Sequence, residues 1–214
     1  MKFIKYFLFS VFCCTTLNAQ SNVKITFSNS NKLNLSKIKS DIPEAVQKQL
    51  IKQIEDIRYE SFMNIEKEII YYQTKAIKAT NTAAIRIKTN STQYHEDPSV
   101  KVAIPESKYL KNSNKETITF IVDKKLITQK ISTIEWKKTN KKKKILGYNC
   151  FETTGKLKGK TISIWYTNEI KAIGTPEKLP IINGVVLEYT TENRSGSAIK
   201  IEFNQAPVKN FFKK

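Results

Sequence analysis

From Thr117 to Phe203 the chain alternates short apolar–polar runs with turn signals, and that rhythm restricts it to a sheet of short antiparallel strands. Thr117–Val122 and Lys125–Ile131 flank a tight turn at Asp123-Lys124, and Ile134-Glu135-Trp136 continues toward a lysine-rich stretch. Ile145–Thr154 follows, and Lys158-Gly159-Lys160 turns the chain into Thr161–Thr167, where Ile162, Ile164 and Tyr166 share one face. A loop containing Gly174, Pro176 and Pro180 precedes a strand over Gly184–Thr190, and Asn193-Arg194-Ser195-Gly196 is expected to turn it into Ala198–Phe203.

The N-terminal half supplies the missing layer. Val23–Ser28 alternates as a half-buried strand. Asp41-Ile42-Pro43-Glu44 reads as a helix start, with Asp41 capping, Pro43 in the first turn and Glu44 at the third position. Val46, Leu50, Ile54 and Ile57 then form one apolar stripe, an amphipathic helix of about four turns. Arg58–Gln73 reads as two strands about a turn near Glu66-Lys67, with Tyr59, Ser61, Met63 and Ile65 on one side, and continuation of the helix is the competing reading. Residues 74–115 carry the weakest pattern, with a short strand expected at Ala83–Lys88. The fold class is therefore α+β, mainly β: a curved antiparallel meander sheet packed with one amphipathic helix, in an order compatible with a half-barrel.

Residues 1–19 have the layout of a cleavable secretory signal: Lys2 and Lys5, a mostly apolar stretch from Tyr6 to Leu17, and Ala19 before polar Gln20. The apolar run is too short for a stable bilayer span. Bulky Phe12 precedes Cys13, which excludes a lipobox and hence lipid anchoring. The mature chain is expected to be a single domain over 20–214, periplasmic or secreted, with no transmembrane segment. Cys13 and Cys14 leave with the signal, so Cys150 has no intramolecular partner and reads as a buried structural thiol. The single histidine, His95, sits in the polar run His95-Glu96-Asp97, where adjacent residues lack ligand spacing. No nucleophile motif or paired carboxylate is recognisable, so no catalytic residue, metal site or cofactor is expected.

Charge is the other constraint. The chain holds 37 Lys+Arg against 19 Asp+Glu, a formal +18, and losing Lys2 and Lys5 leaves about +16. Only Arg58, Arg86 and Arg194 are arginines, so the attraction is diffuse rather than the bidentate kind. The densest run, Lys137-Lys138-Thr139-Asn140-Lys141-Lys142-Lys143-Lys144, reads as a solvated hairpin tip because strand-like segments flank it. Its functional alternative is contact with anionic lipid head groups or nucleic acid. Export makes nucleic acid an unexpected partner.

Trp136–Tyr189 resembles the GLPGLI family, a set of exported Bacteroidota proteins without an established activity. Lys144-Ile145-Leu146-Gly147-Tyr148-Asn149-Cys150 is similar to its K-x-I-x-G-Y-x-C element. Gly159-Lys160 with Ile164-Trp165-Tyr166-Thr167, Glu169-Ile170, and Gly184-Val185-Val186-Leu187-Glu188-Tyr189 resemble its later elements in the same order. The chain departs from the family where Leu179–Gly184 replaces the naming motif and where Lys171 follows Ile170. The resemblance implies no catalytic role for any position. Tyr148 and Trp165 pair large apolar bodies with polar handles and are candidates, with Lys141, Lys142, Lys143 and Lys144, for a binding surface. The expected function is a non-enzymatic, envelope-associated or secreted binding module, its basic surface favouring an anionic envelope surface or another anionic or apolar ligand. The alternative is a periplasmic carrier of a lipid or lipidated protein, its cavity lined by Ile162, Ile164, Tyr166, Val186 and the helix residues Val46, Leu50 and Ile54. N-terminal sequencing of the exported protein should begin at Gln20 or within a residue or two of it; retention of Met1, or lipid on Cys13 or Cys14, would overturn the export signal.

Overall fold

The computed structural model describes residues 22–32, 44–81 and 101–213. The expected export signal, Asp41 and Pro43 of the expected helix start, the expected strand Ala83–Lys88 and His95 lie outside them. The chain forms β1 (Asn22–Asn31), α1 (Glu44–Asp56), β2 (Arg58–Glu66), β3 (Ile69–Thr74), β4 (Ile77–Asn81), β5 (Lys101–Ile104), β6 (Ser107–Asn112), β7 (Thr117–Val122) and β8 (Lys125–Lys130). It continues through β9 (Lys137–Ile145), β10 (Tyr148–Leu157), β11 (Lys160–Thr167), β12 (Val185–Thr190) and β13 (Arg194–Phe203). One open antiparallel sheet runs in the order β8-β7-β6-β3-β2-β1-β13-β12-β11-β10-β9, while β4 and β5 form a separate pair. The architecture is the expected curved, mainly β, α+β arrangement with one helix.

The sheet consists of two meanders fused at its centre. The chain walks from β1 outward to β8, crosses to the opposite edge at β9, and walks back until β13 lies beside β1. Val23 faces Phe203 and Asn31 faces Arg194, so the first and last strands pair almost end to end, with an irregularity between Thr26 and Phe27. Three hairpins close with two consecutive positive-φ residues: Asp123-Lys124 (48°, 65°), Leu146-Gly147 (50°, 88°) and Lys158-Gly159 (50°, 79°). That backbone matches the right-handed twist of paired strands, which is why these turns set the register.

Alternation along the strands makes one face the core. Val23, Ile25 and Phe27 of β1, Met63 and Ile65 of β2, Ile70 and Tyr72 of β3, and Ile162 and Ile164 of β11 are all buried in a single cluster. Tyr59, Ser61, Met63 and Ile65 alternate inward as the sequence predicts. Val46, Leu50 and Ile54 are the buried stripe of α1, which packs against β1. Ile54 joins Tyr59 and Ile104 in a satellite cluster, and Val46 and Leu50 form their own, so the helix stripe does not share a cavity with Ile162 and Ile164.

Four expectations are corrected. The lysine run is not a hairpin tip: Lys137–Lys144 belong to the edge strand β9, and the turn falls at Leu146-Gly147. Six residues of β9 pair with β10 despite the charge, because a solvent-facing edge strand keeps lysines hydrated while its backbone is paired on one side. Residues 74–115 contain β4, β5 and β6, whose mixed polar composition hid them. The last hairpin turns at Thr191–Asn193, with Thr191 N–H donating to Arg194 O at 2.8 Å, so Arg194–Gly196 are already strand. Ile134–Trp136 are not strand, and β9 begins at Lys137.

Gly196 sits where β12, β13 and β1 meet. A Cβ there would lie 2.3 Å from Asn29 Oδ1 and 2.5 Å from the Tyr189 ring. Tyr189 is fully buried and its ring cannot retreat. Gly196→Ala should therefore destabilise by about 1–3 kcal/mol in urea unfolding, whereas an alanine at the exposed position Lys144 should change stability by less than about 0.5 kcal/mol.

Candidate functional site

The connection between β11 and β12, residues 168–184, folds back over the inner face as a strap. Gly174 forms a parallel bridge with Val185, its N–H donates to Gly184 O at 3.0 Å, and Val186 N–H returns to Gly174 O at 2.8 Å. A Cβ on Gly174 would fall 2.3 Å from Ile65 Cδ1, so the bare backbone is what lets the strap lie on β2. Ile170 and Leu179 complete the core cluster. The residues expected to line a carrier cavity, Ile162, Ile164, Tyr166 and Val186, are packed in that cluster instead.

Two polar anchors hold the strap. Lys111 of β6 is fully buried, and its ammonium donates to Thr175 O (2.7 Å), Thr175 Oγ1 (3.0 Å), Leu179 O (3.1 Å) and Pro176 O (3.2 Å). Burial lowers its pKa to about 7, with Glu177 working in the opposite direction. The second anchor is Glu177, held at φ 49°. Its carboxylate accepts from Tyr189 OH at 2.9 Å and Arg194 Nη1 at 3.3 Å. Tyr189 OH also lies 2.8 Å from Asn29 Oδ1, and Asn29 Nδ2 donates to Ser61 Oγ at 2.9 Å, where Tyr72 OH also donates at 2.7 Å. Burial, then the Glu177 charge, pushes Tyr59 up to about 12 and raises Tyr72 and Tyr189 as well. All three phenols are thus neutral at physiological pH; Tyr72 and Tyr189 donate hydrogen bonds, Tyr59 OH is buried without a partner among the described residues, and Glu177 is engaged as a structural acceptor.

Beside this anchor lies an apolar pocket of about 200 Å³ between Leu157, Ile162, Leu179 and the Glu177 carboxylate. A larger open groove, about 570 Å³, runs between the Lys67-Glu68 turn, Asn114 and the strap residues Asn168, Ala172 and Asn183.

The predicted surface residues are only partly brought together. Lys143 reaches Glu188 Oε1 at 2.6 Å and stands 4.3 Å over the Trp165 ring, so those two candidates form one outer-face cluster. Lys141 pairs with Glu152 at 3.1 Å. Burial would raise the Glu152 pKa, but hydrogen bonds from Lys141, Thr139 and Ser163 hold it below the ordinary carboxylate value. Lys142 lies 5.4 Å over Phe151, Lys144 is exposed, and Tyr148 is half-buried against the core, opposite Ile145 rather than beside Trp165. Cys150 is fully buried, its thiol pushed up to about 11 chiefly by that burial, as expected of a quiet structural thiol. Sequence reasoning missed the Lys111 and Glu177 anchors: β6 has too little alternation to reveal an inward lysine, and Glu177 lies in a Gly/Pro loop.

An open antiparallel sheet with one helix and a strapped inner face defines the class of fold. The model of the N-glycanase peptide N-terminal domain (PNGase F-II) matches residues 60–211, and the chain belongs to that family. Two solved structures of PNGF-II, in C2 and P21 crystal forms, share the fold with a TM-score of 0.56 each. They are 15% and 16% identical and match over 90% and 91% of this chain but only 29% and 30% of theirs. The chain therefore spans under a third of the length of those relatives. No curated protein matches it.

Lys111 generates a pH signature. Its folded pKa lies below the ordinary 10.5, so between about pH 7 and 10 the unfolded chain binds the extra proton and stability rises with pH. The raised tyrosines act in the opposite direction: their contribution is intact below pH 10 and is lost as pH climbs beyond it. Urea melts of Lys111→Met against wild type should show the rise reduced by up to about 1.4 kcal/mol per pH unit over that window, with the alkaline fall retained. Parallel wild-type and variant profiles would exclude the titration.

Proposed function

We propose that this domain is a non-catalytic, exported binding module that attaches to anionic partners through the lysine-bearing edge β9. The observation that carries the reading is the placement of the lysines on a paired strand rather than a loose turn. Lys137, Lys138, Lys142 and Lys144 are exposed and in no ion pair among the described residues, whereas Lys141 and Lys143 are neutralised by Glu152 and Glu188. Lys142 lies over Phe151 and Lys143 over Trp165, and as successive strand residues they present charge on both faces of the edge. The buried carboxylates support a binding role over chemistry, since Glu152 and Glu177 are each fixed by several partners. In the N-glycanase chains of this fold the matching part is under a third of the molecule, a share suited to an accessory attachment role. The elements resembling the GLPGLI family fall on β9–β12, the same strands that carry Lys143, Trp165 and Glu188.

Sedimentation with vesicles containing phosphatidylglycerol tests the reading. Binding should weaken steeply from 0.01 to 0.15 M salt, as the Debye length shrinks from about 30 Å to about 8 Å. Replacing Lys137, Lys138, Lys142 and Lys144 with serine should lower it at least tenfold at low salt, with the melting temperature unchanged. Equal binding by that variant would move the attachment surface elsewhere.

A further inference from the structure

The two free edges of the sheet are built in opposite ways. β9 carries lysine at most of its positions, whereas β8, at the far end, has lysine only at its ends, with Leu126, Ile127, Thr128 and Gln129 between Lys125 and Lys130. Every residue of β8 is exposed. Leu126 and Ile127 are 59% and 38% exposed, and Ile121 and Val122 of β7 are 45% and 41% exposed. An uncharged, apolar free edge ordinarily invites pairing.

The register says which backbone groups are free. Val122 and Lys125 close the two-residue turn, and Ile131 N–H donates to Glu116 O at 2.7 Å, so the odd-numbered residues of β8 face β7. Thr119 and Thr128 are the closer, non-hydrogen-bonded kind of pair, their hydroxyls 2.8 Å apart. The N–H and C=O groups of Leu126, Thr128 and Lys130 therefore point away from the sheet, and no strand among the described residues pairs with them. Around them Lys124, Lys125 and Lys130 stand in no ion pair among the described residues.

We propose that β8 is a docking edge that takes an extended acidic segment of a partner protein as an added antiparallel or parallel strand. The segment alternates apolar residues, which cover Ile127 on the Phe120 face, with carboxylates on the opposite face, where Lys130 stands on the same side as Leu126. A second copy is the poorer occupant: each chain carries a formal +18, and pairing β8 with itself gathers the end lysines, Lys125 and Lys130, of both copies at one seam. On the Phe120 side a groove of about 340 Å³ between Tyr109, Phe120, Val122 and Lys178 is open to receive side chains of the added strand.

The test uses the full chain and two eight-residue peptides, one alternating valine with glutamate and one alternating valine with lysine, followed by amide hydrogen exchange in NMR. The glutamate peptide should slow exchange at Leu126, Thr128 and Lys130, with little change at the already paired Ile127 and Gln129. Thr128→Pro removes one outward N–H without touching the β7 ladder and should weaken peptide binding at least tenfold, while Thr128→Ser should bind as wild type. Should the proline loosen the hairpin, the alternating exchange pattern of the wild-type chain still decides the matter. No slowing at those three amides, or equal slowing by the lysine peptide, overturns the proposal. Slowing that appears without peptide as protein concentration rises assigns the edge to a second copy and equally overturns it.

Discussion

The pairing of β1 with β13 is the contact on which the rest of the sheet depends. Within each meander the neighbouring strands follow one another along the chain, with α1 between β1 and β2, β4 and β5 between β3 and β6, and the strap between β11 and β12, but the two meanders share no other ladder. Bringing Val23 opposite Phe203 closes a loop of nearly the whole chain, a cost in conformational entropy that must be offset by what the junction buries. The offset is visible in the residues: Val23, Ile25 and Phe27 are almost completely removed from solvent, and Asn29 and Ser30 continue the strand as buried polar groups bonded across it. Because this contact is so distant in sequence, folding should be slow relative to the formation of the hairpins that feed it.

Once the sheet is closed at its centre, its inner face needs a cover, and the strap supplies it with apolar residues held by polar anchors. Lys111 is the less expected anchor. Burying an ammonium without a contacting carboxylate is costly, and the chain meets that cost by arranging carbonyls of Thr175, Pro176 and Leu179 around it. Those carbonyls belong to an irregular segment that cannot satisfy them within a ladder, so the lysine and the strap resolve each other's unpaired groups. Glu177, Arg194 and Tyr189 do the same at the neighbouring end. The inner face is thereby committed to packing, which leaves the outer face and the edges as the surfaces free to meet partners.

The edges divide that work. A lysine-laden β9 resists strand addition and concentrates charge, while β8 exposes apolar side chains and outward amides with little charge at its centre. The two ends of the sheet are thus chemically distinct, charge at β9 and an apolar free edge at β8, separated by the width of the sheet.

How much of this could be read from the residues depends on the range of the forces involved. Alternation in Tyr59–Ile65 and Ile162–Tyr166, the Val46–Leu50–Ile54 stripe and the turns at Asp123-Lys124 and Lys158-Gly159 are local, because side-chain period and backbone dihedrals are set by neighbours within a few positions. The burial of Cys150 followed from its apolar context. Strand order, by contrast, is a matter of which distant segments pair, and no local pattern says that β13 lies beside β1. The lysine run shows the same limit: hydration energy places Lys137–Lys144 at the surface from sequence alone, but only the ladder to β10 makes that surface an edge rather than a turn. Lys111, read by itself, belongs in solvent. The tertiary structure alone puts it inside, because the acceptors that make its burial tolerable lie more than sixty residues away in the strap.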